Sequence, residues 1–370
     1  MVYHILPERE PFSDIEGGAI GRWVANVIEP LEGVVVCPSS DDTYGFSSER
    51  IAILKQWINL DRVMHSLRWL PWPARRYLWR WILQLPLTAL QAGDVVWVHN
   101  RPRYAAALAG SLKNRGVQVV LHMHNSHLMV HKKVEVADLI DIPIVFCSEF
   151  IKQEATTLWP GTDNRHFVLH NGADEARFFP DDSRHNDPLC VVFIGRLIPE
   201  KGAHVLVDAM RILEKRKVAA TCKLIGGGRY INEPLEKYAS ELLHRLPENV
   251  SFLGYRPGEE MAAILRHADI FCCPSSWQEP FGMVNVEAMA CGIPVVAARV
   301  GGIPEIFEQG GGILVPPEDA EQLADSLEKL IVDQTLRRSM GAEALRAFQS
   351  RFKWEVIRRD YSALLAGVTR

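Results

Sequence analysis

A membrane span needs about 18 apolar residues in a row, and the 370-residue chain contains no such run. Its start, MVYHILPEREPFSD, lacks the basic stretch followed by an apolar one that marks a signal peptide. It reads as a first strand and its loop. Neither sign of charge dominates. Lys and Arg total 41 against 45 Asp and Glu, a formal net charge of −4. No global field therefore invites nucleic acid, and any anionic partner must be met by a local patch. Cysteine is sparse and unpatterned. The seven are Cys37, Cys147, Cys190, Cys222, Cys272, Cys273 and Cys291. Their number is odd, no C-x-x-C pair occurs, and most fall in apolar, strand-like runs. That argues against a disulfide framework or a zinc site, and for buried thiols in a reducing cytoplasm. There are no repeats and no low-complexity tract, and no D-x-D pair ends a strand.

What is present is ordinary in bulk and patterned in detail. Hydrophobic residues make up 48% and charged residues 23%, as in a soluble globular protein. The length suits two domains better than one core. Short apolar runs alternate with amphipathic segments. In the second half the runs are Leu189–Ile194, 222–225, 250–253, 269–273, 294–298 and Gly312–Val315, with helical patterns such as 204–216 and 259–267 between them. The first half repeats the theme at 2–6, Gly33–Cys37, Val95–His99, 117–121, 143–147 and 167–170. Near-continuous apolar strands alternating with helices mean parallel sheets covered on both faces. The expectation is an α/β protein of two doubly wound, Rossmann-like domains, with ligands at the carboxyl ends of the strands. The expected division is 1–171, a polar, turn-rich linker 172–188, and 189–353, with a last helix over 354–370 packing back on the first domain.

Two segments of the second half carry chemistry. Gly195-Arg196-Leu197-Ile198-Pro199-Glu200-Lys201-Gly202 follows a strand and precedes a helix. Gly195 lets a ligand approach the backbone, while Arg196 and Lys201 bring a planar fork and a point charge to one strand end, a pairing suited to a diphosphate. Two surface cations beside a turn is the plain alternative. The second segment runs from Glu279-Pro280-Phe281-Gly282 through Met283-Val284-Asn285-Val286-Glu287. Its loop opens a helix whose first amides can bind phosphate. Glu279 can accept hydrogen bonds from sugar hydroxyls, and Glu287 can hold a vicinal diol; a cap and a solvated Glu are the alternatives.

The order GRLIPEKG, IGGG, FLGY, PSSWQEPFGMVNVEAMACGIPVVA, GGIPEI resembles the retaining glycosyltransferase family four of the GT-B fold, over about residues 189–352. The resemblance implies two domains facing each other across a cleft that closes over the donor. It implies that Arg196 and Lys201 neutralise the donor diphosphate and the leaving nucleotide, that Glu279 contacts the donor sugar, and that Glu287 holds the ribose. Phe281, Gly282, Met283 and Val284 would present backbone amides. Gly226, Gly227 and the Leu253-Gly254-Tyr255-Arg256 segment would border the nucleoside.

The first half resembles the family less closely. Glu16-Gly17-Gly18 looks like its glycine pair, whose backbone nears the donor phosphate; a tight turn is the alternative for Gly17 and Gly18. Leu121-His122-Met123-His124-Asn125-Ser126-His127 closes a strand. Three histidines suggest a metal, but no carboxylate or cysteine is spaced as a fourth ligand. His124, with His122 in reserve, fits the family's His beside the donor sugar. Asn171-Gly172-Ala173-Asp174 matches its hinge turn. Residues 66–81 pack four Trp and four Arg into sixteen positions. They read either as a surface resting on anionic lipid and receiving a lipid-linked acceptor, or as a helix with buried tryptophans and solvated arginines.

The expected reaction is transfer of a hexose, glucose from UDP-glucose being favoured by association with the family, to a hydroxyl of a glycan or lipid-linked acceptor in surface polysaccharide, lipopolysaccharide or envelope glycan synthesis. Retention of configuration follows from the resemblance. No cofactor and no metal are expected, because Arg196, Lys201 and a helix start can stabilise the departing diphosphate. The place is the cytoplasm, with peripheral contact at the inner face of the plasma membrane as an option. A nucleotide-sugar epimerase of the same fold and a non-catalytic nucleotide-sugar sensor are the alternatives. A dinucleotide oxidoreductase fits poorly, because Gly226-Gly227-Gly228-Arg229-Tyr230-Ile231 lacks the third glycine of G-x-G-x-x-G.

Overall fold

The computed structural model describes residues 1–13, 18–28, 33–40, 44, 46–53, 71, 74, 77, 87, 89–125, 136–181, 183, 185–228 and 237–368. Glu16, Gly17, Ser126, His127, the stretch Arg229-Tyr230-Ile231 and all of 66–81 except Pro71, Ala74 and Tyr77 lie outside them. The chain divides into two compact units, Met1–Asn171 with Ile357–Arg370, and Gly172–Val356.

The first unit holds seven strands: β1 (Val2–Ile5), β2 (Gly33–Cys37), β3 (Ile51–Ile53), β4 (Val95–His99), β5 (Gln118–Met123), β6 (Ile144–Phe146) and β7 (His166–Val168). Every pairing is parallel, in the order β3-β2-β1-β4-β5-β6-β7. Strands β2 and β4, GVVVC and VVWVH, are buried along their whole length, as runs covered on both faces must be. Helices Ala19–Val27, Pro102–Lys113 and Glu149–Leu158 are among the crossovers. Ser148 starts the last of these by accepting from the Ile151 amide at 3.2 Å. Strand β3 was not foreseen: it is a three-residue edge strand with Ile53 exposed, too short for a period to show.

The second unit holds β8 (Leu189–Ile194), β9 (Ala220–Ile225), β10 (Val250–Gly254), β11 (Ile270–Cys273), β12 (Val295–Ala298) and β13 (Gly312–Val315), all parallel, in the order β10-β9-β8-β11-β12-β13. Its core packs the apolar stripe of helix Ala203–Lys215, including Leu206, Met210 and Leu213, with Leu323 and Leu327 of helix Ala320–Val332. Two aspartates, Asp319 and Asp333, cap successive helices by accepting the amides of Gln322 and Leu336.

Residues 172–188, expected as a linker, are counted with the second unit. The Ala173 amide donates to Phe352 O at 3.0 Å, Lys353 pairs with Glu175 at 2.6 Å, and Asn186 donates to Asp269 at 2.8 Å. All seven cysteines are buried free thiols. Among the described residues no helix is long and apolar enough to cross a membrane.

Candidate active site

In each sheet the chain runs outward from a central strand in one direction and then in the other. The crevice between the two innermost strands, at their carboxyl ends, is where such sheets bind ligands. In the second unit those strands are β8 and β11. The residues that follow them are Gly195–Gly202 and Pro274–Gly282, the two segments singled out in the sequence.

The two loops are locked together. The Ser276 amide donates to Glu200 O at 2.9 Å, and its hydroxyl donates to Pro199 O at 3.3 Å. Gly202, at φ 71°, lies so close that a Cβ there would stand 1.8 Å from the Pro274 carbonyl oxygen, which only glycine avoids. A second clamp comes from the GGIPEI motif. The Gly302 amide donates to Glu279 O at 2.8 Å and the Gly301 amide to Gln278 Oε1 at 2.7 Å. A Cβ on Gly301 would meet Glu279 O at 2.1 Å.

The clamped loops present a charge pair and, in Arg196, a cation that pairs with no described residue. Lys201 Nζ donates to Glu279 Oε1 at 2.5 Å, and Ser275 Oγ donates to the same oxygen at 2.8 Å. Lys201 also lies over the Trp277 ring, 5.2 Å from its centroid. Glu279 is 6% exposed, and that ammonium is the counter-charge a buried carboxylate requires. Its Oε2 accepts from no described residue and can take a hydroxyl proton. Arg196 is exposed and makes no side-chain hydrogen bond or ion pair with a described residue.

Helix Met283–Ala290 starts from Gly282, at φ 96°, with no side chain capping it. The amides of its first turn thus carry the partial positive charge of a helix start. Phe281 is 2% exposed and its ring stands 5.9 Å from Phe352, so its side chain belongs to the core. Glu287 is 4% exposed, which removes the solvated-Glu reading. The neighbouring strand ends are laced by Gly195 N to Ile225 O (3.0 Å), Leu197 N to Gly227 O (2.8 Å) and Gly226 N to Gly254 O (3.0 Å). Tyr255 and Arg256 beyond them are exposed, Arg256 within 3.9 Å of Glu260.

In the first unit the innermost strands are β1 and β4. Arg101, just after β4, clasps Glu8, just after β1, through Nε at 2.6 Å and an Nη at 2.8 Å, and Tyr104 donates to the same carboxylate at 3.0 Å. The Arg101 guanidinium outweighs burial and holds Glu8 below the usual carboxylate range. Gly18 stands against the Glu10 carboxylate. Its amide, with those of Ile20 and Gly21, donates to the Glu10 carboxylate, and a Cβ on Gly18 would stand 2.6 Å from Glu10 Oε1. A phosphate nearing Gly18 would meet a carboxylate already bonded there. Burial raises the Glu10 pKa while the three amides oppose it.

His124 stands at the end of a buried row that local reading of the sequence missed. Tyr361 Oη lies 3.2 Å from His4 Nε2, His4 Nδ1 lies 3.1 Å from His99 Nε2, and His99 Nδ1 lies 3.0 Å from His124 Nε2. Burial pushes His4 and His124 down to about 3 and His99 and His122 well below the ordinary imidazole value, so all four are neutral. The signal was register: His99 pairs with His122 across β4 and β5, and His4 with Trp97 across β1 and β4.

The family model described as glycosyl transferases group 1 matches residues 174–346. Spore coat protein SA of Bacillus subtilis is 27% identical over 287 residues, covering 71% of this chain and 75% of the relative. D-inositol 3-phosphate glycosyltransferase of Corynebacterium jeikeium is 32% identical over 283 residues, covering 71% and 64%. Among solved structures, Anabaena HepE in complex with UDP and glucose superposes with a TM-score of 0.71 at 19% identity, covering 99% of both chains. The fold is that of the GT-B enzymes, two Rossmann-like parallel-sheet domains. The chain belongs to the glycosyl transferases group 1 family and is a glycosyltransferase.

Proposed function

We propose that this glycosyltransferase moves glucose from UDP-glucose to a hydroxyl of a glycan or lipid-linked acceptor, with retention of configuration and without a catalytic metal. The observation that carries the reading is the Lys201–Glu279 pair joining the loops that follow β8 and β11, with Arg196 exposed in the first loop and the uncapped start of helix Met283–Ala290 after the second. Arg196 and Lys201 take the diphosphate, the amides of Gly282, Met283 and Val284 add to it, Glu279 Oε2 accepts a sugar hydroxyl, and Glu287 holds the ribose. Gly195, Gly226, Gly227, Tyr255 and Arg256 border the nucleoside. His124, neutral, bonds a hydroxyl of the sugar or the acceptor. The choice of UDP and glucose is supported by the HepE complex, which holds those ligands.

The anomeric C–O bond to the diphosphate breaks as the new C–O bond to the acceptor forms on the same face, and the acceptor's proton passes to the leaving phosphate oxygen. Glu279 is assigned no nucleophilic role: its Oε1 is held by Lys201 and Ser275, and its Oε2 is given to a sugar hydroxyl. Positive groups fixed before reaction stabilise the charge gathering on the diphosphate. The acceptor belongs to surface polysaccharide, lipopolysaccharide or envelope glycan synthesis. The basic, aromatic stretch 66–81 supports contact with an anionic membrane face, which flotation with anionic against neutral liposomes checks.

Thermal unfolding in the presence of UDP-glucose, GDP-glucose and ADP-glucose tests the donor. UDP-glucose should give the largest rise in Tm, since a ligand that binds only the folded state stabilises by mass action. Equal shifts, or none, would remove the nucleotide assignment.

A further inference from the structure

The face of the first sheet at the ends of β4 and β5 gathers three imidazoles. His99 and His122 are register partners on β4 and β5, and His124 is two residues beyond His122, on the same face. Their candidate ligand nitrogens all lie within 4.8 Å of one another, and His99 Nδ1 and His124 Nε2 are 3.0 Å apart. Nitrogens across a tetrahedral zinc site are about 3.3 Å apart, with Zn–N near 2.05 Å, so ring rotations of up to about 1.5 Å would close the set.

A second observation points the same way. His122 is wholly buried, yet neither of its ring nitrogens has a hydrogen-bond partner among the described residues. Buried polar groups are normally paired, and an orphan calls for an explanation such as an absent ion. We propose that His99, His122 and His124 bind a transition-metal dication of the Zn²⁺ or Co²⁺ kind, with water or a small anion in the fourth position.

The surroundings suit this chemistry. A metal-bound imidazole commonly donates its other N–H to an outer partner, which fixes its tautomer and aim. With lone pairs at His99 Nδ1 and His124 Nε2, the His99 Nε2–H donates to His4 Nδ1, and the His4 Nε2–H donates to Tyr361 Oη. On the other ring, the Asn171 side chain lies within hydrogen-bonding reach of the His124 imidazole. The change from the metal-free row is a shift of tautomers; no proton need be lost. Burial already holds the three rings neutral, the form that ligates. Two of the three rings are closed off from solvent and His124 is the part-exposed member, which gives the ion its way in.

The test uses the full chain stripped of metal with a chelator and titrated with Co²⁺ alone. One equivalent should develop the visible absorption of low-coordinate, nitrogen-ligated Co²⁺, and Zn²⁺ should bleach it. His122→Phe keeps a ring against Trp23, 4.7 Å away in the native protein, and removes the ligand; the band should vanish. His122→Gln reads the same loss if the Phe variant does not fold by circular dichroism. His4→Phe, which only unsettles the orientation of His99, should weaken binding about 10- to 100-fold. No band at millimolar Co²⁺, or an intact band in folded His122→Phe, overturns the site. A bound ion would take His124 from any sugar or acceptor hydroxyl, a consequence that rests on the function proposed above. Zn²⁺ should therefore slow transfer. Binding without slowing leaves the metal site standing and removes His124 from the substrate.

Discussion

The two units share a topology and differ in what they place at its switch point. The second unit puts charge there: Arg196 exposed, Lys201 and Glu279 paired, all on loops clamped by Gly202 and Gly301. The first puts neutral imidazoles there, in a buried row from Tyr361 to His124, with the Glu8–Arg101 pair beside them. A shared fold fixes where ligands can bind and leaves the chemistry to the loops. Fixed positive charge suits a diphosphate. Neutral donors and acceptors suit a hydroxyl or, when lone pairs converge, a metal ion.

The largest expected effect separates the two cations of the second unit. Lys201→Ala and Arg196→Ala should each cut the transfer rate by about 100- to 1000-fold, the cost of removing one preorganised charge stabiliser. Their effects on the fold should diverge. Without Lys201 the carboxylate of Glu279 is stranded at 6% exposure, a loss of about 3–5 kcal/mol in denaturant unfolding. Arg196 is exposed and pairs with no described residue, so its removal should change stability by less than about 0.5 kcal/mol. Equal destabilisation by both would break the distinction between a paired and a waiting cation.

Acid should find the first unit. Imidazoles titrate near pH 6.5 in the unfolded chain, whereas burial keeps His4, His99, His122 and His124 from protonating in the folded one. The unfolded state therefore binds more protons below about pH 6.5. Stability is complete above that pH and falls as pH drops beneath it, by up to about 1.4 kcal/mol per pH unit for each histidine. Unfolding midpoints between pH 7.5 and 5 measure the slope, and His122→Phe should flatten it. A midpoint that holds steady down to pH 5 would contradict the neutral row.

Smaller still is the cost of the clamp. Gly202→Ala should lose about 2–4 kcal/mol of stability and weaken donor binding, because its Cβ cannot coexist with the Pro274 carbonyl. Gly93→Ala, also at positive φ but with nothing within 4 Å, should lose about 1 kcal/mol. Comparable losses would assign the effect to backbone conformation and not to the meeting of two loops. The smallest effect concerns metal: transfer should persist in excess EDTA, and a strict requirement for added divalent ion would contradict catalysis by Arg196 and Lys201.

Local pattern carried much of this structure. Strands β2, β4, β8 and β13 fall where the apolar runs stand, and the remaining predicted strands differ by one or two residues at their ends. The loops after β8 and β11 were legible because glycine, cations and carboxylates stand close together in sequence. Pairing across strands was not. His99 lies 25 positions from His124 and His4 lies 95 from His99, and only parallel register brings them together. The ion pair of Lys201 with Glu279 spans 78 positions, so two residues that read as separate contacts form one unit. The neighbour of Gly18 was hidden for a related reason: Glu10, eight positions earlier, turns its carboxylate toward the amides around Gly18.

Calorimetric titration of UDP into the wild-type chain and into Arg196→Ala addresses the central claim most directly. Arg196 has no partner among the described residues to lose, so a change in affinity with an unchanged unfolding curve reports contact with the ligand. The account predicts binding weakened at least about tenfold, some 1.4 kcal/mol, in a variant whose unfolding curve is unchanged. Equal affinity in the two proteins would contradict the assignment of the diphosphate to the β8/β11 crevice.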